Sequence, residues 1–178
     1  MPAQHRAQDG NGVQLKLVIR ASDPADWQDL KTTRLAALLD APTAFGVSHA
    51  SAAAYLDEDW QRRAASTPER AFLLAYVGSQ PVGLAAHAVS GEGECNLLAM
   101  WVAPAFRGMG IAAALVDAVK QRAVAGGHHR LVLGVSPENQ RAATFYRKQG
   151  FVFLPEWEPL DSHPEIQVQK MEWLATQF

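Results

Sequence analysis

The chain alternates between two hydrophobic periods. Gln14 to Arg20 (QLKLVIR) places apolar residues at every second position, the pattern of a half-buried strand. Ser22, Asp23 and Pro24 then supply a helix start, with a capping side chain just before a proline suited to the first turn. Trp27, Leu30, Arg34, Leu35, Leu38 and Leu39 recur near helical spacing as far as Asp40. The run Ala41 to Ser48 (APTAFGVS) breaks that helix. A second is predicted from about Ala50 to Ala65, with Tyr55, Leu56 and Trp60 as inward positions. Strands follow at Arg70 to Val77, Pro81 to Val89 and Glu94 to Val102, joined by the tight-turn sequences GSQ and SGEG. A helix from about Met109 to Ala125 stops at Gly126 and Gly127. A short strand, Arg130 to Val135, precedes a helix opened by Ser136 and Pro137 and closed by Gly150. Phe151 to Leu154 and Ile166 to Leu174 read as the last strands, with a long loop rich in proline and acid between them. The class is α+β with a mixed sheet.

Composition narrows this picture without redirecting it. The chain has 178 residues, enough for one domain with a sizeable core. Residues 1–12 are polar and are expected to be flexible, leaving 13–178 as a single domain. A net charge of −2 and the lack of a basic run argue against nucleic acid as a partner. No apolar stretch is long enough to span a bilayer, so no membrane partner is expected. The lone cysteine, Cys95, rules out an internal disulfide and fits a reducing, cytoplasmic setting.

The candidate chemistry centres on Arg107 to Ala112 (RGMGIA), where two glycines sit at the mouth of a helix. Glycine weakens a helix, so its placement there asks for a reason. A helix N-terminus carries unpaired N–H groups and a positive dipole end, which suits a pyrophosphate. Arg107 adds positive charge. A tight strand-to-helix turn that holds nothing is the alternative. Gly108, Gly110 and Ala113 also fit the dinucleotide fingerprint G-x-G-x-x-G/A, hence a nicotinamide oxidoreductase. Against this, Pro104 to Arg107 separate the strand from the first glycine, and no acidic residue closes the next strand. Further on, Asn139 and Tyr146 are seven residues apart and so share a helix face, with small Ala142 and Ala143 between them.

Met100 to Ala112 (MWVAPAFRGMGIA) resembles the acyl-CoA-binding motif of the GNAT N-acetyltransferases. Its core [RQ]-x-x-G-x-[GA] is matched by Arg107, Gly110 and Ala112, and its preceding valine-x-proline by Val102 and Pro104. Asn139 to Phe151 resembles the family's second motif, N-x-x-A-x-x-x-Y-x-x-x-G-F, at every fixed position. The order of elements over Gln14 to Leu174 is similar as well. The resemblance implies a mostly antiparallel central sheet flanked by helices, with a parallel strand pair splayed at the CoA site. It also implies acetyl-CoA as cosubstrate and a primary amine, small molecule or protein, as acceptor. Pantetheine would pair with backbone groups of Met100, Trp101 and Val102, and the pyrophosphate with the N–H groups of Gly108, Met109, Gly110, Ile111 and Ala112. Asn139, Ala142 and Tyr146 would line the same site. A homodimer is left open, and so is a catalytically silent CoA-sensing or partner-binding module on this fold.

For direct transfer the amine must be neutral. Deprotonating a lysine-like amine at pH 7 costs about 4.6 kcal/mol. Glu94 lies on one strand face with Asn96, Leu98, Met100 and Val102 and is the candidate proton relay, the alternative being an exposed hairpin-end carboxylate. The resemblance gives Tyr146 the task of protonating or hydrogen-bonding the leaving thiolate. It also places the acceptor between Pro42 to His49 and Pro155 to Glu165. The acids of the second segment, Glu156, Glu158, Asp161 and Glu165, would favour a cationic acceptor. Cys95, His87 and the pair His128 and His129 are read as structural, with no metal expected.

Overall fold

A computed structural model describes residues 4–8 and 14–176. The strands are β1 (Gln4–Gln8), β2 (Gln14–Ala21), β3 (Arg70–Val77), β4 (Gln80–Val89), β5 (Cys95–Val102), β6 (Arg130–Val135), β7 (Val152–Leu160) and β8 (His163–Leu174). The helices are α1 (Trp27–Asp40), α2 (His49–Ala53), α3 (Asp57–Ala64), α4 (Ile111–Ala125) and α5 (Gln140–Lys148). Among the described residues the strands form one sheet in the order β1-β2-β3-β4-β5-β6-β8-β7. Its neighbours are antiparallel except β5 and β6, which run parallel and share a single residue pair, Asn96 with Val132. Of the segment expected to be flexible, residues 4–8 pair with β2 from Gln4 opposite Val18 to Gln8 opposite Gln14, and the rest lies outside the described residues. No helix among the described residues is long and apolar enough to cross a membrane.

Strand alternation sorts the core into two layers. On β3, Leu73, Ala75 and Val77 face α4, where Leu115, Val116 and Val119 are fully buried. Leu74 and Tyr76 face α1 to α3 with Leu30, Leu38 and Trp60. The turn into α1 is fixed locally. Asp23 accepts from Ala25 N, and Asp26 accepts from Asp23 N while taking two 2.7 Å bonds from Arg20.

Three expectations need correction. The helix expected over Ala50 to Ala65 is two helices, because Leu56 is extended and the acidic run Asp57, Glu58, Asp59 starts a new first turn where negative charge is favoured. Leu56 is consequently exposed, while Trp60 is buried edge-on to Tyr55. The helix after β6 begins at Gln140, because Ser136 to Asn139 close a turn through Asn139 N donating to Ser136 O. The long loop expected after Leu154 is a hairpin, since β7 runs on to Leu160. Pro155 and Pro159 fit because β7 is the outermost strand, where a missing N–H leaves no gap in the ladder.

His87 on β4 is 1% exposed, and neither ring nitrogen has a partner among the described residues. Burial holds its pKa below the ordinary histidine value, and the neighbouring charges of Arg122 and His128 push the same way. The unfolded chain therefore binds this proton more readily than the folded one. Stability from this site is complete above about pH 6.5 and is lost below it, by at most about 1.4 kcal/mol per pH unit. Urea unfolding between pH 7.5 and pH 5 is expected to show that decline, and His87→Leu should flatten it.

Candidate active site

Two glycines set the entry to α4. Gly108 and Gly110 both have φ 80°, a left-handed backbone that side chains disfavour, and nothing lies within 4 Å of the position a Cβ would take. The turn itself therefore requires glycine at both positions. Gly110 caps α4 without a side chain, so the first-turn N–H groups of Ile111, Ala112 and Ala113 keep no helical acceptor. These groups open on a cavity of about 520 Å³.

The cavity wall gathers most of the residues singled out from the sequence. Met100, Trp101 and Val102 come from the end of β5, and Arg107, Gly108, Gly110, Ile111 and Ala112 from the turn and α4. Asn139, Ala142 and Tyr146 come from α5. Met109 is not on the wall and is 41% exposed. Phe106, Ala113, Arg141 and Phe145 also line it. Spacing could not flag Arg141, since two residues beyond Asn139 lies about 200° around a helix, away from the Asn139 and Tyr146 face.

The opening at β5 has a visible cause. Ala99 has φ 55°, the one positive φ outside glycine among the described residues. The register against β4 shifts there, from Leu84 opposite Trp101 to Ala86 opposite Leu98. This bulge inverts the alternation, so Val102 packs on the α4 side with Cys95 and Leu97 rather than sharing a face with Glu94. The indole of Trp101 is likewise turned to α1, where Nε1 donates to Asp40 Oδ2 at 2.9 Å. No local sequence signal marks an alanine for this conformation.

Arg107 lines the cavity with its charge paired to α1. Its Nη2 donates to Asp40 Oδ2 at 2.6 Å and its Nε to Val102 O at 3.0 Å. The Val102 carbonyl is thus already occupied. Asp40, which no local sequence signal singles out, sits below the usual carboxylate range because Trp101 and then Arg107 donate to it. Arg141 has no ion-pair or hydrogen-bond partner among the described residues and is the uncommitted cation on the wall.

On α5, Asn139 accepts from Ala142 N at 3.2 Å and so caps the helix while lining the cavity. Tyr146 packs edge-on against Phe145 and Phe151, with centroids 5.1 and 5.8 Å away. Its hydroxyl has no partner among the described residues, and burial pushes the phenol well above its ordinary value. Tyr146 is therefore a neutral donor through neutral pH. Among the described residues no cysteine, serine or histidine lines this cavity. Cys95 is buried in the α4 core with its thiol pushed up to about 11 by desolvation.

Glu94 is not in this group. It lines a second cavity, of about 460 Å³, on the β5–β6 pair. There it accepts from Arg130 Nη1 at 3.0 Å, and both its oxygens lie 3.3 Å from Lys170 Nζ. A carboxylate so engaged ties strands together. The two expected acceptor segments do meet, since Ser162 Oγ donates to Phe45 O at 2.5 Å.

Residues 33–151, about two-thirds of the chain, match the model of the acetyltransferase (GNAT) family. An uncharacterized N-acetyltransferase of Mycobacterium bovis is 38% identical over 84 residues, 47% of this chain and 54% of that protein, so the match spans about half the relative's length. The fold is similar to a GNAT-family acetyltransferase from Streptococcus pneumoniae (TM-score 0.74, 22% identity, 90% of this chain and 99% of that one). It is also similar to a putative acetyltransferase from Salmonella typhimurium solved with its cofactor acetyl-CoA (TM-score 0.69, 18% identity, 91% and 95%).

The contacts of Asp40 generate a test of how the end of β5 is held. Asp40→Ala leaves the Trp101 N–H without its partner and is expected to cost about 1–3 kcal/mol in urea unfolding. Asp40→Asn keeps an oxygen for Trp101 and should recover a large part of that loss.

Proposed function

The chain belongs to the GNAT family; from that premise we propose that it is an acyltransferase, moving an acetyl group from acetyl-CoA directly to a primary amine. One observation carries the reading. A single cavity joins the unpaired end of β5, the free N–H groups of a glycine-framed helix start and the hydroxyl of Tyr146.

Each part has a task that follows from its chemistry. The N–H groups at the start of α4 and the side chain of Arg141 receive the pyrophosphate. Past Asn96, the β6-facing edge of β5 has no strand partner, and its polar groups are free to pair with an extended pantetheine arm. An N–H of this edge polarises the thioester carbonyl as negative charge builds on its oxygen. Tyr146 donates a hydrogen bond to the departing sulfur. Even an ordinary tyrosine is a weaker acid than a thiol by about 2 kcal/mol, and burial widens that gap, so the proton stays on the phenol. The absence of cysteine, serine and histidine from the cavity wall among the described residues, with the Tyr146 phenol held neutral, supports direct attack by the amine over an acyl-enzyme.

Calorimetry with acetyl-CoA tests the premise, and no binding at millimolar cofactor would overturn it. Arg141→Glu places a negative charge opposite the pyrophosphate and is expected to weaken binding at least about tenfold, with a smaller effect at high salt.

Tyr146→Phe removes one hydroxyl and keeps the ring packing. The rate constant for transfer is expected to fall by about 10²–10⁴ while acetyl-CoA affinity and melting temperature change little. For the wild type, the rate should climb with amine deprotonation towards pH 10 with no downturn from Tyr146, because its pKa lies above that range. An unchanged rate with lowered stability would make Tyr146 a packing residue.

A further inference from the structure

We infer that Glu158 is the carboxylate that receives the acceptor's ammonium group, an assignment that rests on the acetyl-transfer reading above. The second cavity lies on the same strands as the first. Its β5 wall ends at Leu98, the first cavity's begins at Met100, and the bulged Ala99 stands between. The two cavities therefore occupy consecutive stretches of β5, the second around the Asn96–Val132 pair and the first beyond it, where the strands have separated. A thioester at the end of β5 has the second cavity as its neighbouring space.

The polar wall of this cavity sorts itself by partner. Glu94 is neutralised by Lys170 and Arg130. Those cations are in turn shared with Glu156 at 3.0 Å and Glu172 at 2.7 Å. Glu92, in the turn before β5, and Glu158, on β7, have no hydrogen bond or ion pair among the described residues, and of the two it is Glu158 that reaches β6. Its reach across the sheet depends on Gly134 of β6. A Cβ there would stand 3.7 Å from Glu158 Oε1 and 3.3 Å from Val168 Cγ2, so any larger side chain would contest the space that the carboxylate crosses. Beside it, Leu98 is 48% exposed and forms an apolar wall with Val132. An uncommitted carboxylate next to an apolar surface fits an alkylammonium, with the charge on Glu158 and the chain on Leu98. A neutral arylamine offers the apolar part alone. Glu158 thus sets specificity for protonated alkylamines and holds the nitrogen near the thioester; the proton then leaves to water before attack.

The test uses CoA-saturated protein at neutral pH and two probes followed by ligand-observed NMR: hexylamine, which is protonated, and 4-butylaniline, which is neutral. Hexylamine is expected to bind the wild type and to bind Glu158→Gln about tenfold to a hundredfold more weakly, with 4-butylaniline unaffected. Acetyl-CoA affinity should be equal in both proteins. Glu94→Gln should lower the melting temperature and leave the preference for hexylamine intact. Equal hexylamine binding by Glu158→Gln, no hexylamine binding by the wild type, or loss of the preference in Glu94→Gln instead would each overturn the assignment while acetyl-CoA still binds. Failure of the wild type to bind acetyl-CoA would remove the parent reading, and this one with it.

Discussion

Two parallel strands that meet at one residue pair organise this molecule. Parallel neighbours normally satisfy each other's backbone groups along their length. Here β5 and β6 pair at Asn96 and Val132 and then part. Unpaired N–H and C=O groups inside a sheet are costly unless something else meets them. The remaining features either hold the strands apart or make use of the gap. The bulge at Ala99 re-aims the end of β5, and Asp40 draws Trp101 and Arg107 toward α1. At the other end of the pair, Glu94, Arg130, Lys170 and Glu172 tie β5, β6 and β8 together. Exposed ion pairs contribute little one at a time, but a shared network at the base of a split fixes where the split begins.

Charge is distributed in keeping with this geometry. Arg107, the conspicuous cation beside the glycines, joins the end of β5 to the last residue of α1. Arg141 and the α4 N-terminus carry the positive potential of the first cavity. Tyr146 is neutral, and its hydroxyl has no partner among the described residues. In the second cavity Glu94 is matched by cations and Glu158 is not. The same pair of strands thus has a positive side suited to a phosphate-bearing donor and a negative side suited to a cationic acceptor.

Much of this was legible before the fold. The β2, β3 and β6 segments, α1 and the glycine stop after α4 follow from hydrophobic period and turn chemistry, which act within a few residues of one another. The glycine turn and the Asn139 to Tyr146 face were also readable, because each lies within one contiguous motif and its geometry is set by neighbours along the chain. The motifs' order resembled a known family, and the cavity brings them together.

What the sequence could not decide were effects between distant segments. Proline and acid in Pro155 to Glu165 imply a loop when read alone, yet an edge position in the sheet makes the same residues a strand. The alternation that put Glu94 on one face with Val102 holds only for a regular strand, and the bulge at Ala99 answers to pairing with β4 rather than to any preference of alanine. Whether an ionic side chain is free or committed is the same kind of question. Glu94 and Arg107 were the obvious candidates by position, and Lys170 and Asp40, 76 and 67 residues away, engage them. The sequence by itself determined the elements and the local chemistry of each motif, because short-range sterics and hydrogen bonding are written in adjacent residues. Which charges remained available for a ligand was decided by tertiary structure, because an ion pair depends on distance in space and not on separation along the chain.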